Sequence, residues 1–458
     1  MNTSTAVTMD LAKKIVSTTY ENLSTDVIQV TREIALDGMA NMLAGSSQPL
    51  SGPLLEYARS LGGPAISSVV GHELRTHPVH AAFLNGSFCH ALDYEFVWNP
   101  PTHPTGPTLP AFLAIAEERG LSGKDIVPAI AVGFEIQGRL RLAIDEAGVG
   151  PMDSIHPPGL VGPFGAAAGC AKLLGLDVEK TRMALGIVGS RVSGLGANTG
   201  SMTKATHCGN AARMGLESAL LAESGFTGND AILEAPQGYN DIFFSGKLDM
   251  DAILRNFGAP YRMVDPGLIY KKYPTMYLTH WSVDAALQLR EEYGLIKDDI
   301  TAVEVEVAAD NRAADRWSPQ TDTECTFSIP YTVAAALLDG KLDFDTFAGN
   351  RRLDPTLLSM VDRIQIVRNP DIPAYDFSKA WSRVTITTRD GLKVSARVDR
   401  PVGIWDNPVP WDLRVEKFHD CAALAIQREA AEDALALIER FETLASVDPL
   451  MSLVRGQP

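Results

Sequence analysis

Apolar residues recur at helical spacing along the first half of the chain. The stripe over 35–43 follows the i, i+4, i+7, i+8 pattern, and Gly45 is expected to end that helix. A second stripe over 109–116 precedes Gly120, another residue that favours a helix end. Three further helices, rich in small residues that allow close packing, are predicted over 163–174, 178–190 and 209–224.

The hydrophobic pattern changes its period after residue 270. Val303, Val305 and Val307 alternate with charged or small residues, which is typical of a half-buried strand. The predicted elements of this region are strands over 303–307 and 364–366, a hairpin over 384–398 that turns at Asp390 and Gly391, and helices over 330–339 and 415–445.

These patterns predict a mainly α protein with an α/β second domain, that is, a large helical domain and a smaller α/β lid. The helical domain is expected over 1–268 and the lid over 269–410, and the helices over 411–458 are expected to return to the helical domain. A chain of 458 residues has room for two or three domains of about 150 residues each.

Charge and composition argue against a nucleic-acid-binding, a membrane-spanning or a secreted protein. Lys and Arg number 40 against 56 Asp and Glu, a net charge of −16, which argues against a nucleic-acid partner. No apolar run is long enough to span a membrane, and the N-terminus lacks the basic start and apolar core of a signal peptide. Five scattered cysteines without a CxxC pair are typical of reduced thiols. A cytoplasmic protein without a membrane partner is therefore expected.

The segment 90–110 combines five prolines with Asp93, Thr102 and His103. Because proline disfavours regular helix, this segment is expected to be a stiff loop that presents those three side chains. A histidine held in such a loop titrates near neutrality and suits proton transfer. A surface loop with a solvated histidine is the alternative interpretation.

Two later segments also place titratable side chains beside glycine and proline. His156 precedes two prolines, just before a helix expected to start near Pro163, and the N-terminus of a helix binds anions. Lys204 and His207 are three residues apart, so a helical turn puts them on one face, where they would suit a carboxylate. The alternatives are a histidine that caps a helix and a solvated helix face.

The segment 270–284 lies at the expected domain junction and carries Lys271, Lys272, Tyr273 and His280. Ligand pockets occur preferentially at such junctions. A linker with a tethering aromatic cluster is the alternative interpretation.

Other chemistries lack their sequence motifs. The chain has no HExxH or HxH pattern for a metal, no GxSxG for a serine hydrolase, and no GxxxxGK[ST] phosphate loop. It also has no GxGxxG after a strand, so a dinucleotide is not expected.

Taken in order, six segments resemble the MmgE/PrpD family over nearly the whole chain. Members of this family are dehydratases, decarboxylases and an epimerase of small carboxylic acids. The segments are HALDYEFVWNPPTHPTGPTLPA, HPPGLVGPFGAAAGCAKLLGL, TKATHCGNAARMGLESALLA, KKYPTMYLTHWSVDAA, FSIPYTVAAALLDG and PVGIWDNPVPWDLRVEKF.

The resemblance implies a large helical domain built from both chain ends, a smaller α/β lid, a homodimer, and an active site between the domains. It also implies that no metal or organic cofactor is used. Carried over by motif, the implied catalytic residues are Asp93, His103, His156, Lys204 and His280, with Thr102, His207, Lys272 and Tyr273 as implied substrate contacts.

The motif over 93–97 departs from the pattern of the MmgE/PrpD family. Dehydratases and decarboxylases of this family usually carry Asp-Phe-Asp-Asp-Thr, whereas this chain reads Asp93, Tyr94, Glu95, Phe96, Val97. Loss of an acid at Phe96 and of a hydroxyl at Val97 favours a changed substrate or a changed handling of protons. An epimerase of a dicarboxylate such as iminodisuccinate is therefore an alternative to a lyase.

Together these features predict metal-independent proton chemistry at a carbon next to a carboxylate of a small di- or tricarboxylic acid. Such chemistry needs a neutral base near the carbon and cations near the carboxylate oxygens. His103 is the expected general base, Lys204 and His280 are the expected anchors, Asp93 is expected to orient a histidine, and His156 is expected to be a second acid or base. A lyase is expected, with an epimerase or a non-catalytic carboxylate-binding protein as alternatives.

Overall fold

The computed structural model describes residues 6–148 and 154–456 and divides the chain into two compact units. Unit 1 comprises Met1–Ala91, Glu95–Leu268 and Pro410–Pro458, and unit 2 comprises Leu92–Tyr94 and Ile269–Val409. Unit 1 is helical apart from one short strand pair, whereas unit 2 combines a sheet with helices. The predicted fold class, mainly α with an α/β part, is confirmed.

Helices account for most of the described residues, and α12–α15 belong to unit 2 while the others belong to unit 1. The α-helices are α1 (Val7–Ser17), α2 (Thr25–Ser46), α3 (Ser51–Leu61), α4 (Pro78–Cys89), α5 (Thr105–Arg119), α6 (Gly123–Ala147), α7 (Pro157–Leu173), α8 (Val178–Gly189), α9 (Met202–Glu223), α10 (Tyr239–Phe244), α11 (Met250–Leu254), α12 (His280–Tyr293), α13 (Asp322–Cys325), α14 (Ile329–Asp339), α15 (Pro355–Val361), α16 (Trp411–Ala422), α17 (Arg428–Ile438) and α18 (Asp448–Val454). Short 3-10 turns cover Tyr20–Asn22, Gly196–Asn198, Tyr277–Thr279, Arg312–Asp315, Asp345–Phe347, Arg351–Leu353 and Phe441–Thr443, and a π turn covers Met263–Gly267.

Unit 2 contains a four-stranded mixed sheet of order β4-β3-β5-β6. Over the described part of the chain the strands are β1 (Ser67–Val69) and β2 (Leu74–Thr76) in unit 1, and β3 (Ile300–Ala308), β4 (Ile364–Asn369), β5 (Ser382–Thr388) and β6 (Lys393–Val398) in unit 2. β3 runs parallel to β4 and antiparallel to β5, and β5 pairs antiparallel with β6. The predicted hairpin at Asp390 and Gly391 is therefore confirmed.

Alternation along the strands buries one face of this sheet. Val303 and Val305 are buried, and Val305 pairs with Val384 of β5 and Ile366 of β4. α12 packs against β5 and β6 and against α14, so these helices form the second layer of the unit. The buried valines of β3 therefore confirm the half-buried strand that the alternation in the sequence predicts.

The core of unit 1 is built around α7, which packs against α5, α6, α8 and α9. Its contact with α9 depends on small residues. A Cβ atom at Gly215 would lie 2.6 Å from the backbone nitrogen of Ala167 and 2.2 Å from the Cβ of Ala166. The close packing predicted from small residues is therefore confirmed, and it fixes α9 relative to α7.

Gly45 does not end its helix, because α2 continues to Ser46. A Cβ atom at Gly45 would lie 1.9 Å from the carbonyl oxygen of Phe88 in α4. The glycine serves a close approach of two helices, which the sequence pattern of α2 alone does not reveal.

The expected loop over 90–110 ends earlier than predicted, because α5 begins at Thr105 and includes Pro107 and Pro110. Backbone N–H groups of a first helical turn have no partner within the helix, so Pro107 loses nothing there. Pro110 lies beyond that turn and removes one backbone hydrogen bond from α5. The prediction that prolines exclude helix throughout this segment was wrong.

Two other helix boundaries also differ from the predicted ones. α7 starts at Pro157 instead of near Pro163, because prolines at the first two helical positions are compatible with a helix start. The predicted helical pattern over 415–445 is divided between α16 and α17. Among the described residues, no helix has the length and apolar character needed to cross a membrane.

Candidate active site

Four imidazoles, one ammonium group and one carboxylate converge in unit 1, and we call these six residues the histidine cluster. His90 directly follows α4, Glu95 and His103 lie between α4 and α5, His156 is the N-cap of α7, and Lys204 and His207 lie near the start of α9. The ring of His90 lies 4.6 Å from that of His103 and 5.1 Å from that of His156, centroid to centroid.

Backbone contacts hold the segment that carries Glu95 and His103. The N–H of Trp98 donates to the carbonyl of Thr102 at 2.9 Å, which closes a turn just before His103. Two arginines hold the same turn from outside: Arg141 donates to the carbonyl of Pro101 at 3.0 Å, and Arg262 to that of Asn99 at 3.1 Å. The stiff presentation of His103 predicted from the prolines thus has an additional cause in these two side chains.

A buried ion pair fixes the residue next to Glu95. The carboxylate of Asp37 accepts the backbone N–H of Phe96 at 3.0 Å and the ammonium of Lys417 at 2.7 Å. Asp37 lies on α2 and Lys417 on α16, so a helix from the C-terminal part of the chain helps to place Glu95.

Glu95 and Lys204 contact opposite nitrogens of the His90 ring. Oε1 of Glu95 lies 2.5 Å from Nδ1 of His90, and Nζ of Lys204 lies 3.0 Å from Nε2. An ammonium group only donates, so Nε2 must carry a lone pair, and the ring proton then resides on Nδ1. The two contacts therefore fix the tautomer of His90.

The same oxygen of Glu95 also faces His103. Nδ1 of His103 lies 3.4 Å from Oε1 of Glu95, an ion-pair contact that is longer than an ordinary N–H···O hydrogen bond. This contact favours a proton on Nδ1 of His103 and turns its Nε2 away from the carboxylate. A carboxylate behind an imidazole is the arrangement that orients a histidine for proton transfer.

His156 and His207 form the other side of the cluster. Their Nδ1 atoms lie 3.3 Å apart, so one ring donates and the other accepts. The two rings are 5.4 Å apart between centroids, and the centroids of His103 and His156 are 6.0 Å apart.

Burial keeps three of the imidazoles neutral. It is the largest cause that lowers the pKa of His90 to about 4. Burial, with the charge of Lys204 as the next cause, also lowers the pKa of His156 and of His207. Burial alone would raise the pKa of Glu95, but His90 and His103 more than offset it, and that pKa lies below its ordinary value.

Exposure differs between the two ends of the cluster. Glu95 and His90 are 0% and 1% exposed, whereas His103, His156 and Lys204 are partly exposed. Glu95 and His90 thus support the other three side chains, which can contact a small molecule. Neutral imidazoles beside an ammonium group are suited to binding a carboxylate and to moving a proton at an adjacent carbon.

Metal binding is a second possibility that the geometry raises. One ring nitrogen from each of His90, His103 and His156 lies within 4.8 Å of the others, as do atoms of His90, Glu95 and Cys208. Neutral imidazoles are common metal ligands. However, both nitrogens of His90 already have partners, and one of those partners is the cation Lys204. This arrangement disfavours a resident dication.

The predicted site residues fall into two groups. His103, His156, Lys204 and His207 come together in the histidine cluster, and Thr102 is buried in the adjoining turn. Asp93, Lys272, Tyr273 and His280 belong to unit 2, and their predicted roles in binding and catalysis stay predictions.

Within unit 2, Asp93 forms an ion pair with Lys271. Nζ of Lys271 contacts Oδ1 of Asp93 and lies 2.5 Å from its carbonyl oxygen. Asp93 has a φ of 52°, in the left-handed region that side chains with a Cβ rarely adopt. The hydroxyl of Tyr94 donates to the carbonyl of Lys272 at 2.9 Å, which ties the same short segment to the start of the longer one.

His280 lies in an aromatic group of unit 2. Its ring is 0% exposed and lies 5.1 Å from the ring of Tyr273 and 4.9 Å from that of Tyr277, between centroids. The hydroxyl of Tyr273 donates to Asp284 at 2.6 Å, and burial is the largest cause that raises the pKa of Asp284.

Sequence reasoning assigned no role to His90 or Glu95, the two most buried members of the cluster. A weak signal was present, because His90 stands where an apolar helical pattern meets a proline-rich segment. Glu95 was noted only as an acid in a motif that departs from a family pattern. Their membership of the cluster depends on contacts that spacing in the sequence does not reveal.

Two family models match the chain. The model described as the MmgE/PrpD N-terminal domain matches residues 9–251, and the MmgE/PrpD C-terminal domain matches residues 273–443. The first match contains every member of the histidine cluster, and the second contains Tyr273 and His280.

Curated relatives match along nearly the whole chain. Cis-aconitate decarboxylase of Mus musculus is 30% identical over 98% of this chain and 94% of the relative. The human cis-aconitate decarboxylase is 29% identical over 98% of this chain and 95% of the relative. The 2-methylcitrate dehydratase of Cupriavidus necator is 25% identical over 84% of each chain.

Proposed function

We propose that this chain, which belongs to the MmgE/PrpD family, is a lyase of a small tricarboxylic acid and decarboxylates cis-aconitate. The similarity to cis-aconitate decarboxylases over 98% of the chain supports this choice of substrate. The observation that carries the proposal is the histidine cluster, in which Lys204 and partly exposed imidazoles surround a fixed carboxylate, Glu95.

Decarboxylation of cis-aconitate requires a cation near the departing carboxylate and a proton donor near the carbon that is protonated. Carbon dioxide leaves from the CH2-bound carboxylate of cis-aconitate, and the electron pair of the broken C–C bond forms a new C=C bond. The former alkene CH carbon, next to a second carboxylate, then accepts a proton. One proton is consumed, and one carbon dioxide and one unsaturated dicarboxylate are formed.

Lys204 is the proposed anchor and charge stabiliser. Negative charge spreads over a carboxylate as carbon dioxide leaves, and a cation placed beside it lowers the barrier. One N–H of Lys204 is donated to His90, which holds the ammonium group beside the imidazoles of the cluster.

His103 is the proposed proton donor in this direction and the base in the reverse direction. When its Nε2 takes up a proton, the Glu95 carboxylate 3.4 Å from Nδ1 stabilises the resulting imidazolium. His156 is the proposed second acid or base, since its ring faces the same cluster.

Dehydration of a hydroxylated tricarboxylate is the neighbouring lyase reaction, supported by the relatives named 2-methylcitrate dehydratase. An epimerase is the alternative from another class. The two imidazoles His103 and His156, 6.0 Å apart between ring centroids, would supply two bases. A non-catalytic carboxylate-binding protein is the remaining alternative.

We further propose that the protein acts as a cytoplasmic homodimer and needs no metal or organic cofactor. The absence of a cofactor fits the cation beside His90, which disfavours a second cation in the cluster. Light scattering after size-exclusion chromatography tests the dimer, with a mass of one chain as the contradicting result.

The direct test is an assay of purified protein with cis-aconitate, 2-methylcitrate and iminodisuccinate. Carbon dioxide release from cis-aconitate supports the proposal, loss of water from 2-methylcitrate supports the dehydratase, and inversion without a lost fragment supports the epimerase. Binding of these acids, seen as a raised melting temperature, with no turnover of any of them would support the non-catalytic alternative and contradict the lyase.

A further inference from the structure

We propose that Glu95 is a positioning residue of this site, which orients the proton donor His103 directly and the anchor Lys204 through His90. The inference rests on the proposed function and assigns a role to a pair of residues, Glu95 and His90, that need not touch the substrate. One carboxylate oxygen acts on two rings, at 2.5 Å from His90 and 3.4 Å from His103.

Glu95 acts on Lys204 through the neutral ring of His90, which lies between them. Glu95 holds the proton of His90 on Nδ1, and Nε2 is thereby an acceptor that receives Lys204 at 3.0 Å. If the proton moved to Nε2, two donors would face each other and the contact would be lost. The carboxylate therefore fixes the lysine by fixing a tautomer.

The route to His103 is electrostatic as well as geometric. Glu95 is fully buried, so its charge is weakly screened and acts strongly on a ring that contacts it. An imidazolium at His103 is stabilised by this charge.

The surroundings show why an ionised carboxylate persists there. The pKa of Glu95 lies below its ordinary value because His90 and His103 more than offset the effect of burial. The adjacent residue, Phe96, is tied through its backbone N–H to Asp37, which fixes the start of the segment. Glu95 is thus an ionised group in a fixed place.

Three substitutions separate charge from shape. Glu95→Gln keeps an acceptor of similar size and removes the charge, Glu95→Asp keeps the charge on a shorter side chain, and Glu95→Ala removes both. A matched control is Glu117→Gln, another buried carboxylate of unit 1, which accepts from Ser68 near the far end of α5.

The turnover assay with cis-aconitate compares kcat among these variants. We expect Glu95→Gln to lower kcat about 100-fold, as for loss of a general acid–base function, and Glu95→Asp to recover at least part of it. We also expect Glu95→Asp to be more active than Glu95→Gln, because the aspartate keeps the negative charge. Glu117→Gln should leave kcat unchanged. A purely structural role would give the opposite order, because glutamine keeps the shape of the glutamate side chain more closely than aspartate does.

Failure of the proposed function is recognised separately. If the wild type turns over none of the three acids, the lyase proposal fails, and the positioning role is then decided by crystal structures of the wild type and of Glu95→Ala. Loss of the contact between Lys204 and His90 in the variant supports the positioning role. The role is overturned if both rings and Lys204 keep their places, or if an active wild type and Glu95→Gln differ less than threefold in kcat.

Discussion

The ammonium nitrogen of Lys204 lies 3.0 Å from Nε2 of His90, a ring whose other nitrogen lies 2.5 Å from Glu95. This relationship places a cation beside neutral imidazoles and is the basis of the proposed binding of a carboxylate. It links the start of α9 to the end of α4 in unit 1.

Replacing Lys204 with Met should mainly weaken substrate binding. The change removes the charge and keeps most of the side-chain length, so a charge-assisted hydrogen bond worth about 1.5–3 kcal/mol is lost. We expect KM for cis-aconitate to rise by roughly 10- to 100-fold, measured from initial rates. Lys172→Met is the control, because Lys172 donates to the carbonyl of Val16 and lies outside the cluster. An unchanged KM in Lys204→Met would remove the lysine from the anchor role.

Replacing His103 with Asn should act on turnover. A positioned acid or base contributes about 100-fold or more, so kcat should fall by at least that factor while far-UV circular dichroism stays the same. His77→Asn is the control, since His77 is the N-cap of α4, at the end of that helix opposite to His90. Near-normal turnover of the His103 variant would show that another group delivers the proton.

Acid should destabilise the protein through His90. The pKa of this ring is about 4 in the folded chain, against about 6.5 for an unperturbed histidine. The unfolded chain therefore binds more protons between these two values, and stability should fall as the pH drops from about 6.5 to about 4.

The variant His90→Asn tests this origin, because its amide still offers a donor to Glu95 but does not titrate. Its melting temperature should depend less steeply on pH between 6.5 and 4.5 than that of the wild type. His156 and His207, whose pKa values are also lowered, should leave a residual slope. Identical slopes for the two proteins would show that His90 is not the group responsible.

Removal of divalent metal should leave the activity intact. Both nitrogens of His90 are already in contact with Glu95 or Lys204, and an ammonium group beside the ring repels a dication. Protein dialysed against EDTA should decarboxylate at the rate of untreated protein. Activity lost on dialysis and restored by one divalent metal would contradict this interpretation.

The parts of the fold that depend on residues close together in the sequence could be predicted from it. The Asp390–Gly391 turn and the alternation of valines in β3 depend on neighbouring residues, and both were found from the sequence. Gly45 was misinterpreted because its role is a close approach to Phe88, a contact between residues far apart in the chain. The start of α5 was missed because prolines in a first helical turn cost no hydrogen bond.

The members of the histidine cluster also include residues that the sequence indicated and residues that it did not. His103, His156 and Lys204 stand in segments rich in glycine, proline or small polar residues, and this unusual context marked them. His90 and Glu95 lie in the same proline-rich segment as His103, but their proposed role depends on one carboxylate oxygen that faces two rings. Spacing in the sequence does not encode a shared oxygen.

In the proposed reaction, the histidine cluster delivers a proton to carbon as carbon dioxide leaves. Proton and carbon nuclear magnetic resonance of cis-aconitate with the enzyme in heavy water tests it most directly. We predict loss of one carbon as carbon dioxide and one deuterium at the carbon next to the retained carboxylate of the product, with the rate sharply reduced in His103→Asn. Deuterium exchange or inversion without release of carbon dioxide would contradict the proposed decarboxylation, and so would cis-aconitate that stays intact with the wild type.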